Sequence, residues 1–315
     1  MTELVRRLRA GDHRALARAI SLIEDRPEAA AQLVRDLYRE AGRARVIGVT
    51  GPPGAGKSTL ADRLTASYRA VSRTVGILAT DPSSPFTGGA LLGDRVRMQD
   101  HAGDTGVFIR SMATRGHLGG LARASADAVL VMDATGWDVI ILETVGVGQD
   151  EVEVVRAADV SLVTLVPGSG DDVQALKAGI MEIADIFVVN KADREGADRL
   201  VATIESVLGL APETADAWRP PVLQTVATEG TGIDTVIASI DRFMERPAAR
   251  RVARARERAE ARVREILDDR FRRRIDEHVL EPGEMAQLVD AVVSRELDPY
   301  TAADRILSRV IEEGA

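Results

Sequence analysis

The sequence predicts an α/β fold: a mostly parallel central sheet with helices on both faces, preceded by a helical segment and followed by a helical arm. Three observations predict it. From Arg45 onward, short apolar runs alternate with longer stretches of helical periodicity, the signature of strand–helix–strand units. The runs are almost continuously apolar, as in Val139-Ile140-Ile141-Leu142, which suits strands covered on both faces. Beyond about residue 246 the strand-like runs stop and only helical periodicity remains.

Residues 1–42 make up the N-terminal segment. Leu4, Leu8, Leu16, Ala19, Ile20 and Ile23 recur at helical spacing, and Leu33, Leu37 and Tyr38 continue the pattern after Pro27. Gly11-Asp12 reads as a break followed by a cap. The central domain spans 43–246, with strands expected at 45–50, 74–80, 106–110, 138–143, 160–166, 185–190 and 221–226. Helices are expected near 57–71, 116–135, 171–182 and 196–209. Residues 247–315 form the arm: a long Arg/Glu-rich helix over 248–280, then shorter ones near 283–295 and 300–312. Along the long helix Val252, Ala259, Val263, Ile266, Leu267 and Phe271 share one side. That stripe serves either as a dimer or partner surface or as packing against its own domain.

Composition removes several function classes. The 315 residues are 45% apolar and 29% charged, an ordinary globular balance. No apolar stretch reaches the length of a membrane span. Met1–Arg9 carries charge without an apolar core, so no secretory signal is expected and the cytoplasm is the expected compartment. With no cysteine there is no disulfide framework, thiol nucleophile, iron–sulfur cluster or thiolate metal site. The net charge of −8 argues against polyanion binding. In the long helix, carboxylates interleave the arginines and stacking aromatics are missing, so no nucleic-acid partner is expected. Of the 41 Lys and Arg residues, only Lys57, Lys177 and Lys191 are lysine. Such a bias suggests that lysine is kept where a compact ammonium does what a planar guanidinium cannot.

Two of those lysines fall in nucleotide motifs. Gly51-Pro52-Pro53-Gly54-Ala55-Gly56-Lys57-Ser58 is a complete G-x-x-x-x-G-K-[ST] loop between an expected strand and an expected helix. It defines a P-loop NTPase. The glycines let backbone N–H groups turn toward phosphates at the positive end of a helix. The expected nucleotide contacts are Gly51 to Ser58 in full together with Thr59; Lys57 reaches the β- and γ-phosphates and Ser58 binds Mg²⁺. Asn190-Lys191-Ala192-Asp193 directly follows the strand Ile186-Phe187-Val188-Val189 and resembles the N-K-x-D guanine motif. Guanine presents N1–H and its N2 amino group side by side, and an ionised Asp193 can accept from both. Adenine offers no such pair and would leave the carboxylate unpaired, so GTP is preferred to ATP. Asn190 would fix the loop and meet the purine edge, and the Lys191 stem would lie against the base.

Glu143-Thr144-Val145-Gly146 ends the strand Trp137 to Leu142, where many small GTPases place D-x-x-G. Glu143 can hold Mg²⁺ through a water, and the Gly146 N–H can sense the γ-phosphate. Val147 follows, with Gln149 two positions on, so intrinsic hydrolysis is expected to be slow unless a partner completes the site. The Pro/Gly-rich run Asp81 to Ala90 is a candidate switch, and Asp81 and Asp94 are candidate Mg²⁺ ligands, each also readable as a cap or turn residue. Arg95 reads either as a charge for the phosphates or as a structural residue of so Arg-rich a chain. In the loop Gly168-Ser169-Gly170-Asp171-Asp172, Lys177 stands one or two turns into the next helix. It is a candidate for a nucleotide-dependent ion pair, or a surface lysine on a capped helix. Val226, Ala227 and Thr228, following Thr225 at the end of the last strand, offer backbone contacts to the guanine edge, or are a plain strand end.

Taken together these stretches resemble the methylmalonyl-CoA-mutase-associated GTPases of the MeaB/ArgK type. The likeness rests on Asp81 to Pro85, Gly88 to Met98, Glu143-Thr-Val-Gly-Val-Gly-Gln149 and Asn190 to Asp193, and runs from about residue 5 to 245 plus the tail. The resemblance implies a GTPase core with an N-terminal helical segment and a C-terminal dimerisation arm, hence a homodimer. It also implies a GTP-dependent chaperone that gates adenosylcobalamin loading and protection of an acyl-CoA mutase, whose binding stimulates hydrolysis. It makes the loop from Gly168 to Lys177 an additional switch. The stretch 108–116 looks closer to the GTPase region of fused mutase–chaperone proteins. The client is therefore methylmalonyl-CoA mutase or a sibling such as isobutyryl- or 2-hydroxyisobutyryl-CoA mutase.

Rival readings fit less well. Nickel-delivery GTPases need His-rich or cysteine-containing metal sites, whereas His13, His101, His117 and His278 are scattered here. A kinase of periplasmic transport is disfavoured by Asn190–Asp193 and by the missing signal sequence. A nucleotide-sensing scaffold with little turnover differs only in whether hydrolysis occurs. No D-x-H-x-x-G pattern is present, so cobalamin is not expected to bind the chain directly.

Overall fold

Seven parallel strands organise the first part of the molecule: β1 (Arg45–Thr50), β2 (Val75–Asp81), β3 (Val107–Ala113), β4 (Val139–Thr144), β5 (Val160–Leu165), β6 (Ile186–Asn190) and β7 (Val222–Thr225). They stand in the order β3-β2-β4-β1-β5-β6-β7, and every neighbouring pair is parallel. The computed structural model describes residues 1–81, 101, 103–113, 120–144, 157–168, 180–210 and 218–312. All seven strands lie where apolar runs predicted them, and β3 continues three residues further than expected, paired with β2 to Ala113. The chain leaves β1 for one half of the sheet and passes from β4 to β5 on the other side of β1. The carboxyl end of β1 is thus a topological switch point, where open α/β sheets bind ligands.

Alternate side chains sort onto opposite faces. Ile47 and Val49 of β1, Val139 and Ile141 of β4, and Ile186 and Val188 of β6 share one core with α4 (Lys57–Ala70) and α8 (Ile233–Met244). On the other face, Val46, Ile140 and Leu142 join α1 (Thr2–Arg9), α2 (His13–Asp25), α3 (Pro27–Leu37) and α5 (Gly120–Ala134). Phe187 and Val189 pack there too, with α7 (Ala197–Leu208). The short α6 (Ile180–Ile183) precedes β6. Leu60, Leu64 and Ile240 are fully buried, each worth about 1.5–3 kcal/mol, which pins α4 under the sheet and the loop before it in place. α8 goes beyond the sequence-based expectation. Its buried Ile233, Val236, Ile240 and Phe243 do have helical spacing, behind a Gly/Thr-rich turn.

The N-terminal helices share their core with the sheet. Asp12 caps α2 by accepting from the Arg14 and Ala15 N–H groups at 2.8 and 3.1 Å. Buried Asp133 of α5 accepts the N–H groups of Gly42, Arg43 and Ala44, fixing the link into β1.

Three aspartates repeat one device at the amino end of the sheet. Each directly precedes a strand, and each accepts a backbone N–H at or just before the start of a neighbouring strand. Asp138 takes that of Thr74, Asp159 that of Val46 and Asp185 that of Ser161, at 2.8 to 3.0 Å. Asp138 also accepts the Thr74 hydroxyl and pairs with Arg73.

The chain divides into two compact units, Met1–Pro247 and Ala248–Ala315. The second is helical: α9 (Ala248–Arg274), a π-helical turn Ile275–Val279, α10 (Glu284–Val293) and α11 (Pro299–Glu312). The long helix expected to 280 thus leaves α geometry after Arg274. Arg309 of α11 grips Glu284 of α10 with two hydrogen bonds. Val252, Val263, Leu267 and Phe271 of α9 stay exposed, as do Val293 and Tyr300. None of the helices is long and apolar enough to cross a membrane, among the described residues.

Burial pulls the Asp138 carboxyl upward, but the Thr74 N–H, the Thr74 hydroxyl and Arg73 outweigh it and hold the group below its ordinary value. Its contribution is therefore present above the carboxylate range and is lost as pH falls through it. Asp138→Ala is expected to lower the unfolding free energy by about 1–3 kcal/mol at neutral pH, with the deficit narrowing below about pH 4. Urea unfolding at neutral and acid pH checks both; a deficit that grows in acid would reverse the sign.

Candidate functional site

The carboxyl ends of β1, β4, β6 and β7 each bring a sequence-predicted residue, because parallel strands point those ends to one edge. The loop after β1 turns on glycines. Gly51 has φ +143°, and a Cβ there would lie 2.0 Å from the Thr164 carbonyl oxygen of β5. At Gly56, with φ +86°, a Cβ would lie 2.3 Å from the Asn190 amide nitrogen. Only glycine meets both demands, a left-handed backbone and close approach to a neighbour. Lys57 opens α4 and is only 6% exposed. Its Nζ donates to the Gly51 and Pro52 carbonyls at 2.9 and 3.0 Å, so the ammonium is held inside the curl of the loop. Ser58 and Thr59 follow in the first helical turn.

Asn190, 2% exposed at the end of β6, joins this loop to two others. Its Nδ2 donates to the Ala55 carbonyl at 2.9 Å. Its Oδ1 accepts the Thr225 hydroxyl and the Ala227 N–H, both at 3.1 Å. Lys191 takes a left-handed φ of +57° and donates from Nζ to the Gly54 carbonyl at 2.8 Å. The Ala192 N–H returns to the Thr225 carbonyl at 3.0 Å. Asp193 stands exposed at the rim. Val226, Ala227 and Thr228 form the turn beside it, closed by the bridge from Val226 to Thr231. The residues expected for phosphate and base thus meet through one buried amide.

At the other end of α4's first turn, the Ser58 hydroxyl donates to the Glu143 carboxylate, which is 4% exposed at the end of β4. Beside it the Thr144 hydroxyl donates to that of Thr50 at 2.9 Å. A hydroxyl and a buried carboxylate at the mouth of a phosphate loop fit Mg²⁺, which takes hard oxygens and completes its shell with water and phosphate. Among the described residues no cluster of three or more His, Asp or Glu forms an all-protein metal site. Asp81 ends β2, paired with Ala113; its side chain lies outside the described residues. So do Asp94, Gly146, Gln149 and Lys177, with Arg95, His117 and the run after Gly168.

One residue escaped the sequence reading. Arg63 of α4 donates from Nε to the Ala227 carbonyl at 3.0 Å and from Nη2 to that of Thr228 at 2.7 Å. No motif marks it, and as one arginine among many its type carries no signal.

The family described as Methylmalonyl Co-A mutase-associated GTPase MeaB matches residues 16–279. A Pyrococcus abyssi protein is 49% identical over 99% of this chain and 97% of its own length. GTPase ArgK of Escherichia coli is 40% identical over 77% of this chain and 76% of its own. The mouse methylmalonic aciduria type A homolog, a mitochondrial protein, is 31% identical over 94% of this chain and 76% of its own. A crystal structure of an LAO/AO transport system kinase superimposes with a TM-score of 0.73 at 29% identity, over 98% of this chain and 97% of that one.

The hydrogen bonds of Asn190 predict a contrast within one motif. In nucleotide-free protein, Asn190→Ala orphans two buried groups and the Thr225 hydroxyl, and is expected to cost about 2–4 kcal/mol. Exposed Asp193→Ala should stay within about 0.5 kcal/mol of the parent. Denaturant unfolding of the two variants measures this; equal losses would deny Asn190 its role.

Proposed function

The chain belongs to the methylmalonyl-CoA-mutase-associated GTPase family, MeaB, and from that premise we propose that it binds and hydrolyses GTP to gate adenosylcobalamin loading and protection of an acyl-CoA mutase. The observation that carries the nucleotide part is the buried Asn190 amide, which ties the phosphate loop to the base loops in one rigid unit. The loop N–H groups and the amino end of α4 receive the phosphates, with the Lys57 ammonium already inside the curl. Ser58 and Glu143 would hold Mg²⁺, which when bound neutralises charge on the β- and γ-phosphates. Asp193 accepts N1–H and the N2 amino group of guanine, while the Lys191 stem, anchored on Gly54, flanks the base.

The mutase belongs to the same proposal. Family membership supports an adenosylcobalamin-dependent acyl-CoA mutase as client, methylmalonyl-CoA mutase or a sibling, with turnover that is slow alone and stimulated by that client. Cobalamin stays with the mutase. A homodimer joined through residues 247–315 is the third part, supported by the apolar side chains that α9 leaves exposed. Gly146, Gln149, Lys177, Asp81 and Asp94 are proposed to complete the catalytic and metal machinery, as their motifs suggest.

GTP turnover by the pure protein, alone and with candidate mutases at matched concentration, tests the reading. Strong stimulation by one mutase is the expected result; turnover that no mutase changes would favour a nucleotide-sensing scaffold. Lys57→Ala should abolish turnover, and retained hydrolysis would remove the phosphate-loop assignment. Asp193→Asn should weaken GTP at least tenfold and admit xanthosine triphosphate, since the exchanged donor suits the 2-oxo group. Unchanged base selectivity in a competition assay would sink the role of the 190–193 loop.

A further inference from the structure

Arg63 holds two successive main-chain carbonyls, those of Ala227 and Thr228, with a half-buried guanidinium. A planar fork suits two adjacent acceptors as a single ammonium does not. The peptide between those residues is trans, as are all others described, so the Ala227 C=O and the Thr228 N–H point in opposite directions. Holding the carbonyl toward α4 therefore sets the direction of the Thr228 N–H, away from Arg63.

The neighbouring donors are already committed. The Val226 N–H serves Thr231, that of Ala227 serves Asn190, that of Glu229 serves Val226 and that of Gly230 serves Ala227. Of the amides from Val226 to Gly230, that of Thr228 alone has no such bond among the described residues, and it belongs to an exposed residue. Guanine sets its O6 acceptor next to N1–H. A site in which Asp193 takes N1–H and N2 needs a donor for O6, and the turn beside Asp193 has one left.

We propose that Arg63 is a positioning residue for base selectivity, aiming the Thr228 N–H at the 6-oxo group of the purine. The inference rests on the guanine-nucleotide reading above and adds the residue that sets one half of its specificity. Arg63 touches neither base nor phosphate; it acts through the peptide it holds.

The test compares GDP with 6-thioguanosine diphosphate, which keeps N1–H and the N2 amino group but replaces O6 with a poor acceptor. Affinities for the full-length protein are measured by titration calorimetry. The parent is expected to prefer GDP by about tenfold, the worth of one hydrogen bond. In Arg63→Ala, GDP should weaken by about 5–10-fold while the thio analogue moves less than about twofold, so the preference collapses. Arg63→Lys, able to reach one carbonyl, should keep an intermediate preference, and serves as the deciding variant should the alanine form not fold. Equal weakening of both ligands would make Arg63 a merely structural residue and overturn the proposal. So would a parent with no preference, or variants whose preference is unchanged. A parent that binds neither diphosphate would overturn the GTPase reading itself, an outcome separate from all of these.

Discussion

A buried side-chain amide brings donors and an acceptor that must all be met inside the protein, at a cost of about 1–3 kcal/mol for each group left unpaired. Asn190 meets that demand with partners from two separate segments: Ala55 after β1, and Thr225 and Ala227 at the end of β7. The requirement works in both directions. Asn190 is immobilised by its partners, and the loops are held in register by Asn190. The close approach of its amide is also what forbids a side chain at Gly56. Phosphate and base loops therefore cannot be moved independently, and a ligand that spans both meets a surface already set at the right separation.

The sheet supports that arrangement by treating its two ends differently. At the amino end Asp138, Asp159 and Asp185 tie each strand start to a neighbour with short bonds to backbone N–H groups. Those bonds are local, repeated and carry no chemistry. At the carboxyl end Lys57, Glu143 and Asn190 hold buried positions where the chain enters or leaves the loops. Fixing strand register at one end lets the loops at the other be shaped by function rather than by the need to close the sheet.

How much was legible from sequence follows from the physics of each element. Strands buried on both faces must be continuously apolar, so the inner ones stood out, Val139 to Leu142 above all; the edge strands β3 and β7, with Arg110 and exposed Gln224, showed only shorter apolar runs. The same property hides which helix covers which face, and the sharing of one core between α2, α5 and Val46 had no sequence signature. The phosphate loop was legible because two close approaches each demand glycine. α8 was missed behind the Gly/Thr turn at 228–232, though its apolar spacing was in plain view. Arg63 was not legible at all: its partners are main-chain carbonyls, which every residue has, and arginine is the common cation of this chain.

That last point has an evolutionary side. In the proposed site the turn at 226–228 offers a base only peptide groups, and Asn190 and Arg63 grip it only by peptide groups, so its residue types are free to drift while the backbone path is kept. The heritable information for this part of the site is stored at a distance, in Asn190 and in Arg63 on α4. On the proposal made for Arg63, a lineage could rewrite Val226, Ala227 and Thr228 and keep its nucleotide, yet lose discrimination by one change on α4. Descent would then be traced more faithfully in the supports of the pocket than in its lining.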